Sequence, residues 1–281
     1  MARKVRKPAG AQSEEEVRRA VKERYTELAL KQAPCCGPDR STMCGCSGLY
    51  PDEDVLSLPP EAAAVSAGCG NPTAIAELRA GMVVVDLGSG GGIDAFLSAK
   101  KVGPRGRVYG IDATPEMVHR ARRTAKEHGF SNVEFRLGEI EHMPLPDGCA
   151  DVVISNCVIN LSPQKQQVFD EAFRVLRPGG RLAVSDIVLL KELPERLRGD
   201  LAAWSSCVSG AVLEDEYLGA IRKAGFSDVR VESRAVYTDA QLRGYLSPSE
   251  GAGAPTTSFS KRKGEDLSGI VASSRVTARK P

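Results

Sequence analysis

MVVVDLGSGGG, residues 82–92, decides the fold. Five of its first six residues are apolar, three of them consecutive valines, and the run is too short for a buried helix. It reads as a strand covered on both faces. The strand ends in Asp86-Leu87 and a glycine loop, and a helix follows from about Ile93 to Lys101. Glycines at such a turn permit positive φ and let the backbone approach a ligand closely.

The alternation continues outward from this unit. RVYGID (107–112), VEFRL (133–137), DVVIS (151–155), RLAVSDIVL (181–189) and DVRVESRAV (228–236) read as strands. Helices are expected from Pro115 to His128, from Gln164 to Leu176 (stopped by Arg177-Pro178-Gly179-Gly180) and from Glu214 to Ala224, with a helical stretch around Leu193 to Ala203. Strands alternating with helices over short connections mean a mostly parallel sheet with helices on both faces. IVASSRVTAR (270–279) is expected as a last, edge strand, and Leu246 to Ser260 as an exposed loop. Upstream, Ser13 and Glu16 form a capping box for an amphipathic helix to about Leu30. Pro59 to Val65 and Thr73 to Leu78 read as short helices. The division expected is 1–58 for tail, helix and Cys-rich loop, 59–236 for the main domain and 237–281 for a C-terminal extension.

Composition limits the partners. The 281 residues are 42% hydrophobic and 26% charged, and 38 Lys and Arg against 36 Asp and Glu leave a formal charge of +2. The basic runs, Arg3-Lys4, Arg6-Lys7 and Lys261-Arg262-Lys263, are terminal or in a polar stretch, so no nucleic-acid partner is expected. No apolar run approaches the ~20 residues of a membrane span. Met1 to Gly10 lacks the apolar core of a secretory signal. A cytoplasmic location is expected, with the eight cysteines present as thiols.

Ligands in such sheets bind beyond the carboxyl ends of the strands. Asp112 ends the second strand, about 20 residues past the glycine loop, where a carboxylate can accept both hydroxyls of a ribose. A dinucleotide would need a third glycine or an alanine where Ile93 stands, and the Asp86 carboxylate would repel its pyrophosphate. The same carboxylate suits the cationic sulfonium and ammonium of S-adenosylmethionine (SAM).

VVVDLGSGGG, GIDATPEM, FRLGEIEHMP and EAFRVLRPGG together resemble the class I SAM-dependent methyltransferases, a Rossmann-like α/β fold, over about residues 60–236. The resemblance implies that Asp86, Gly88, Ser89 and Gly90 hold the methionine part of SAM and Asp112 its ribose. It implies Met117, Glu139 and Ile140 beside the adenine, and Asn156 facing the amino-acid end. For Met117 and Ile140 plain core packing is the alternative.

The acceptor must be read from other residues. Methylation of oxygen or nitrogen generally uses a base, and His119, His128 and His142 occupy no obvious catalytic place. Cys157 follows the fourth strand directly, Cys207 follows the helical segment after the fifth, and Cys69 sits in a Gly-Cys-Gly turn before the first. Thiolates are soft ligands, so three on one sheet edge suggest a thiophilic acceptor.

GCGNP, SNCVINLSP and SCVSGA around these cysteines resemble the arsenite methyltransferases, microbial type, over about residues 13–236. That resemblance implies As(III) bound as a pyramidal trithiolate by Cys69, Cys157 and Cys207, with arsenite and methylarsenite as substrates. It also implies mono- and dimethylated products, a role in detoxification, and a thiol reductant such as glutathione or thioredoxin. Of Cys35, Cys36, Cys44 and Cys46, any could serve in relay or disulfide exchange; zinc or no ligand stand as alternatives. Cys149 is expected to be incidental. Two rivals remain: a C- or O-methyltransferase of a small molecule such as a quinone precursor, and a metalloid-sequestering protein that does not turn over.

Overall fold

A computed structural model describes residues 13–31, 49–63, 68–194, 204, 207–246 and 267–281. The Cys35, Cys36, Cys44 and Cys46 cluster, most of the helical stretch expected before Ala203 and nearly all of the loop expected at 246–260 lie outside the described residues.

Helix α1 (Glu14–Lys31) is followed by the short helices α2 (Asp52–Leu56) and α3 (Pro60–Ala63). The α/β core then runs β1 (Val83–Leu87), α4 (Ile93–Val102), β2 (Arg107–Asp112), α5 (Pro115–Glu127), β3 (Val133–Leu137), β4 (Ala150–Asn156), α6 (Lys165–Val175) and β5 (Leu176–Leu189). After these come α7 (Glu214–Lys223), β6 (Ser227–Val236), α8 (Asp239–Leu246) and β7 (Val271–Arg279). The capping box closes α1: the Glu16 carboxylate accepts from Ser13 N at 2.8 Å, and Ser13 Oγ accepts from Glu16 N at 3.2 Å.

The sheet has seven strands in the order β3-β2-β1-β4-β5-β7-β6. The first five are parallel, and β7 is antiparallel to both its neighbours. Successive valines serve opposite faces: Val84 packs with Phe96, Leu97 and Val118, Val85 with Phe169, Leu182 and Tyr217. This is the class I SAM-dependent methyltransferase architecture, mostly parallel with helices on both faces. Strand order reverses between β1 and β4, and the crevice at that point lies between Leu87 and Ser155, paired in register.

Three expectations are corrected. The last strand is interior: β7 lies between β5 and β6, so residues past Val236 complete the sheet, and β6 forms the edge. Exposure accounts for the exchange, because β7 is buried at seven of its nine positions, all but Arg275 and the terminal Arg279, whereas Arg230, Glu232 and Arg234 of β6 suit an edge. The helix expected at 73–78 is only a 3₁₀ turn, Pro72–Ala74, capped by Asn71, and Glu77 takes φ 52°, which no right-handed helix accommodates. Finally, Arg177 to Gly180 do stop α6, but they belong to β5, which starts at Leu176.

Candidate active site

The glycine turn after β1 opens a cavity of about 600 Å³ at the switch point. Gly88 and Gly90 have φ of 63° and 49°, and a Cβ on Gly88 would lie 2.3 Å from Val158 Cγ2. At Gly88 any side chain would displace Val158, whereas at Gly90 there is room and the left-handed backbone is what favours glycine. Every cofactor residue read from the sequence lines this cavity: Asp86, Gly88, Ser89, Gly90, Asp112, Met117, Glu139, Ile140 and Asn156.

Their roles differ in detail. Asp112 accepts from Gly90 N at 2.9 Å with one oxygen and from Thr114 N at 2.8 Å with the other, which holds its carboxylate toward the cavity with lone pairs to spare. Met117 is buried and packs against Leu28 and Ala29 of α1. Glu139 pairs with Arg18 at 3.0 Å, and Arg18 also reaches the buried Glu141 at 3.1 Å. Helix α1 therefore lies along the cavity mouth, where Arg18, Arg19, Lys22 and Tyr25 join the lining.

One observation tests whether SAM fits. Asp86 Oδ2 is buried without a hydrogen-bond partner among the described residues. Burial, then the neighbouring Asp94 and Asp112 carboxylates, push its pKa well up. A buried unpaired carboxylate is costly, and a cationic ligand relieves it. The sulfonium and ammonium of SAM meet that requirement.

Asn156, at the end of β4, joins the cavity to the cysteines. Its Oδ1 accepts from Cys69 N at 3.0 Å and Gly70 N at 3.2 Å, and its Nδ2 donates to Gly70 O, Tyr50 Oη and Asp94 Oδ2 at 2.8, 2.9 and 3.1 Å. The Tyr50 hydroxyl donates to the Asp94 carboxylate, at 2.9 Å from either oxygen. The amide thus fixes the Gly-Cys-Gly turn as well as facing the cavity. Burial raises the Asp94 pKa to about 6, against the lowering effect of Asn156 and Tyr50.

Cys69, Cys157 and Cys207 come together in one buried cluster with Leu161, Ile187 and Val208. Each is under 5% exposed. Cys157 and Cys207 have φ of 62° and 64°, left-handed values that cost a non-glycine residue roughly 1 kcal/mol or more. The Cys207 thiol donates to Cys157 O at 2.9 Å, and the Cys69 thiol to Ser185 O at 3.7 Å. Burial pushes the Cys69 and Cys157 thiols up, so both are protonated at neutral pH in the unliganded protein. Cys149, read as incidental, stands apart beside the apolar core under β4.

A model of the methyltransferase domain family matches residues 78–225. The arsenite methyltransferase of Halobacterium salinarum is 42% identical over 80% of this chain and 61% of its own length. That of Aquipseudomonas alcaligenes is 40% identical over 76% of this chain and 62% of its own. Among solved structures, an arsenic(III) S-adenosylmethionine methyltransferase from Chlamydomonas reinhardtii is 34% identical, covering 81% of this chain and 72% of that one, with a TM-score of 0.64. This chain belongs to the arsenite methyltransferase family. It spans about three fifths of the length of the two curated relatives.

Against that family background, sequence reading missed a ring of polar groups around the thiols. Asp186 of β5 is buried, accepts from Asn160 Nδ2 at 2.8 Å and Tyr217 Oη at 3.1 Å, and is raised to about 7 by burial. Lys165 donates to Ser162 O at 2.9 Å, lies over the Trp204 ring, and is lowered to about 8 by burial. Asp186 carried a signal, a lone carboxylate inside the otherwise apolar RLAVSDIVL. Lys165, Tyr50 and Asp94 carried none.

Proposed function

We propose that this chain transfers a methyl group from SAM to trivalent arsenic held by Cys69, Cys157 and Cys207. The convergence of three buried thiols beside the SAM-sized cavity carries this reading.

The sulfurs suit As(III), a soft acceptor. As arsenous acid binds, each As–OH takes one thiol proton and leaves as water, so three As–S bonds replace three As–O bonds with no net proton. The raised thiol pKa values do not oppose this exchange, because no free thiolate need accumulate. No histidine base is required. Asn156 keeps Cys69 at the site through the turn backbone, and the left-handed backbone at Cys157 and Cys207 sets the direction of the other two thiols.

Asp86, Gly88, Ser89, Gly90 and Asn156 would hold the methionine end of SAM, Asp112 the ribose, and Met117, Glu139 and Ile140 the adenine side. Bound there, SAM supplies an electrophilic methyl carbon to the arsenic lone pair. Methylarsenite has one As–C bond already and needs only two of the three thiols, which extends the reading to dimethylated products. Glutathione or thioredoxin would return the arsenic to the trivalent state.

The test uses reduced protein with SAM and either arsenite or methylarsenite, followed by arsenic speciation. Cys157→Ser and Cys207→Ser should each abolish arsenite methylation while SAM affinity holds, since serine keeps the size but stays protonated. Cys69→Ser should retain methylarsenite turnover, and Cys149→Ser should match the parent. Full arsenite turnover in Cys157→Ser would mean that arsenic does not use this site.

A further inference from the structure

We propose that Cys69, Cys157 and Asp186 also form a binding site for a thiophilic divalent cation of the zinc class, which competes with the arsenic substrate. The ligand atoms of these three side chains lie within 4.8 Å of one another, and all three residues are buried.

The donor set fits such a cation. Zinc binds thiolate at about 2.3 Å and carboxylate at about 2.0 Å in tetrahedral geometry, which sets ligand atoms about 3.5–3.8 Å apart. The three donors must therefore close by about 1 Å, within reach of side-chain rotation. Two thiol protons leave to solvent as two S–metal bonds form, and the carboxylate closes the third position. The resulting charge of −1, from two thiolates, one carboxylate and a dication, lies near the buried Lys165 ammonium, whose charge acts on Asp186.

The carboxylate is also braced in the manner of a metal ligand. Asp186 Oδ1 accepts from Asn160 Nδ2 at 2.8 Å and Ile187 N at 2.9 Å, and Oδ2 accepts from Tyr217 Oη at 3.1 Å. These three donors fix the plane of the carboxylate and leave further lone pairs for a cation. A merely structural aspartate at this depth would be expected to pair with a cationic side chain. None of the salt bridges found among the described residues includes it.

Cys207 separates the two occupants. Its thiol is turned onto Cys157 O, outside the three-donor set. Trivalent arsenic takes three sulfurs and keeps its lone pair, so it must recruit Cys207. A tetrahedral dication accepts an oxygen donor and can use Asp186 with Cys207 left in place. The fourth position is then open to water.

The inference shares Cys69 and Cys157 with the arsenic reading, and the two are tested apart. Zn²⁺ is titrated against a chromophoric chelator into the reduced full chain with Cys35, Cys36, Cys44 and Cys46 changed to serine. About one zinc per chain is expected. Asp186→Asn should weaken it by about tenfold or more, Cys69→Ser and Cys157→Ser by more, and Cys207→Ser hardly at all. Equal affinity in a folded Asp186→Asn variant overturns the proposal. Should that variant not fold, Cd²⁺ with the unmutated site decides, because thiolate-to-cadmium absorbance counts sulfurs: two support the site and three overturn it. Arsenite methylation is measured on the reduced, unmutated chain with chelator present. Turnover without zinc binding sinks the cation site alone, and zinc binding without turnover sinks the arsenic reading alone.

Discussion

Asn156→Ala should separate the two halves of the site, and its cost can be worked from the hydrogen bonds. Truncation orphans Cys69 N, Gly70 N and Gly70 O, and it removes a donor from Asp94 Oδ2. A buried group left unpaired costs about 1–3 kcal/mol, more when charged. Taking the low end for the three backbone groups and about 2 kcal/mol for the carboxylate gives about 5 kcal/mol. Asn156 is only half-buried and faces the cavity, so water reaches part of this network and about 3 kcal/mol is expected. Urea denaturation of the reduced, ligand-free protein measures it. Because the lost bonds hold the Cys69 turn, arsenite methylation should fall about tenfold more than methylarsenite methylation, the difference being a loss of about 1.4 kcal/mol in placing the third thiol. Asn156→Asp provides the contrast. It keeps the acceptor for Cys69 N and Gly70 N but sets a second carboxylate beside Asp94, so its arsenite turnover should recover as the pH is lowered. A stability change under about 1 kcal/mol in Asn156→Ala, with the arsenite to methylarsenite ratio unchanged, would refute the assignment of Asn156 as the residue that positions Cys69.

Asp112→Ala should leave the fold intact and weaken SAM binding by about one to two decades, the loss of a charge-assisted pair worth about 1.5–3 kcal/mol; calorimetry showing unchanged affinity in the folded variant would remove Asp112 from the site. SAM affinity should fall as pH falls through about 6, because Asp94 titrates there and Asp86, also raised by burial, loses the charge that a sulfonium and an ammonium favour. Asp86→Asn should flatten that profile, as read by the dissociation constant across a pH series. The unliganded protein should behave in the opposite sense. A carboxyl raised in the folded state contributes stability that is present below its unfolded value of 3.8 and is lost as pH rises through about 6, so the melting temperature should decline across that window and SAM should restore it above.

The centre of the parallel half of the sheet was legible because β1 and β4 are buried on both faces and read as mostly apolar runs, MVVVDL and DVVIS. That the residues read as cofactor-binding line one cavity followed in part, since a strand end and a glycine turn place a few residues almost without freedom. The position of β7 did not follow. IVASSRVTAR mixes small polar with apolar residues, and nothing within it states that it pairs with β5 on one side and β6 on the other. Helix α1 was legible as a helix from Ser13 and Glu16, but its place over the cavity rests on Arg18 reaching residues more than 120 positions away. The thiols were found from their local motifs. Their polar surroundings were not, because Lys165, Tyr50 and Asp94 act through contacts made only when distant segments meet.

The two halves of the site depend on one another at the end of β4. Asn156 is bound into the network of Asp94 and Tyr50 on the cofactor side, and the next residue, Cys157, turns left-handed into the thiol cluster. Burial has a different consequence on each side. Around Asp86 it makes an unpaired carboxylate expensive and so favours a cation. Around Cys69 and Cys157 it holds the thiols neutral, which disfavours any partner that requires thiolates before it binds. Arsenous acid does not, since it is neutral and carries the hydroxyl groups that remove the thiol protons as water. Arsenate lacks the lone pair that would attack a methyl carbon, and its entry would place a negative charge beside Asp186 in a poorly solvated pocket. On the arsenic reading proposed above, the same burial that raises the thiol pKa values would favour the neutral trivalent acid over arsenate.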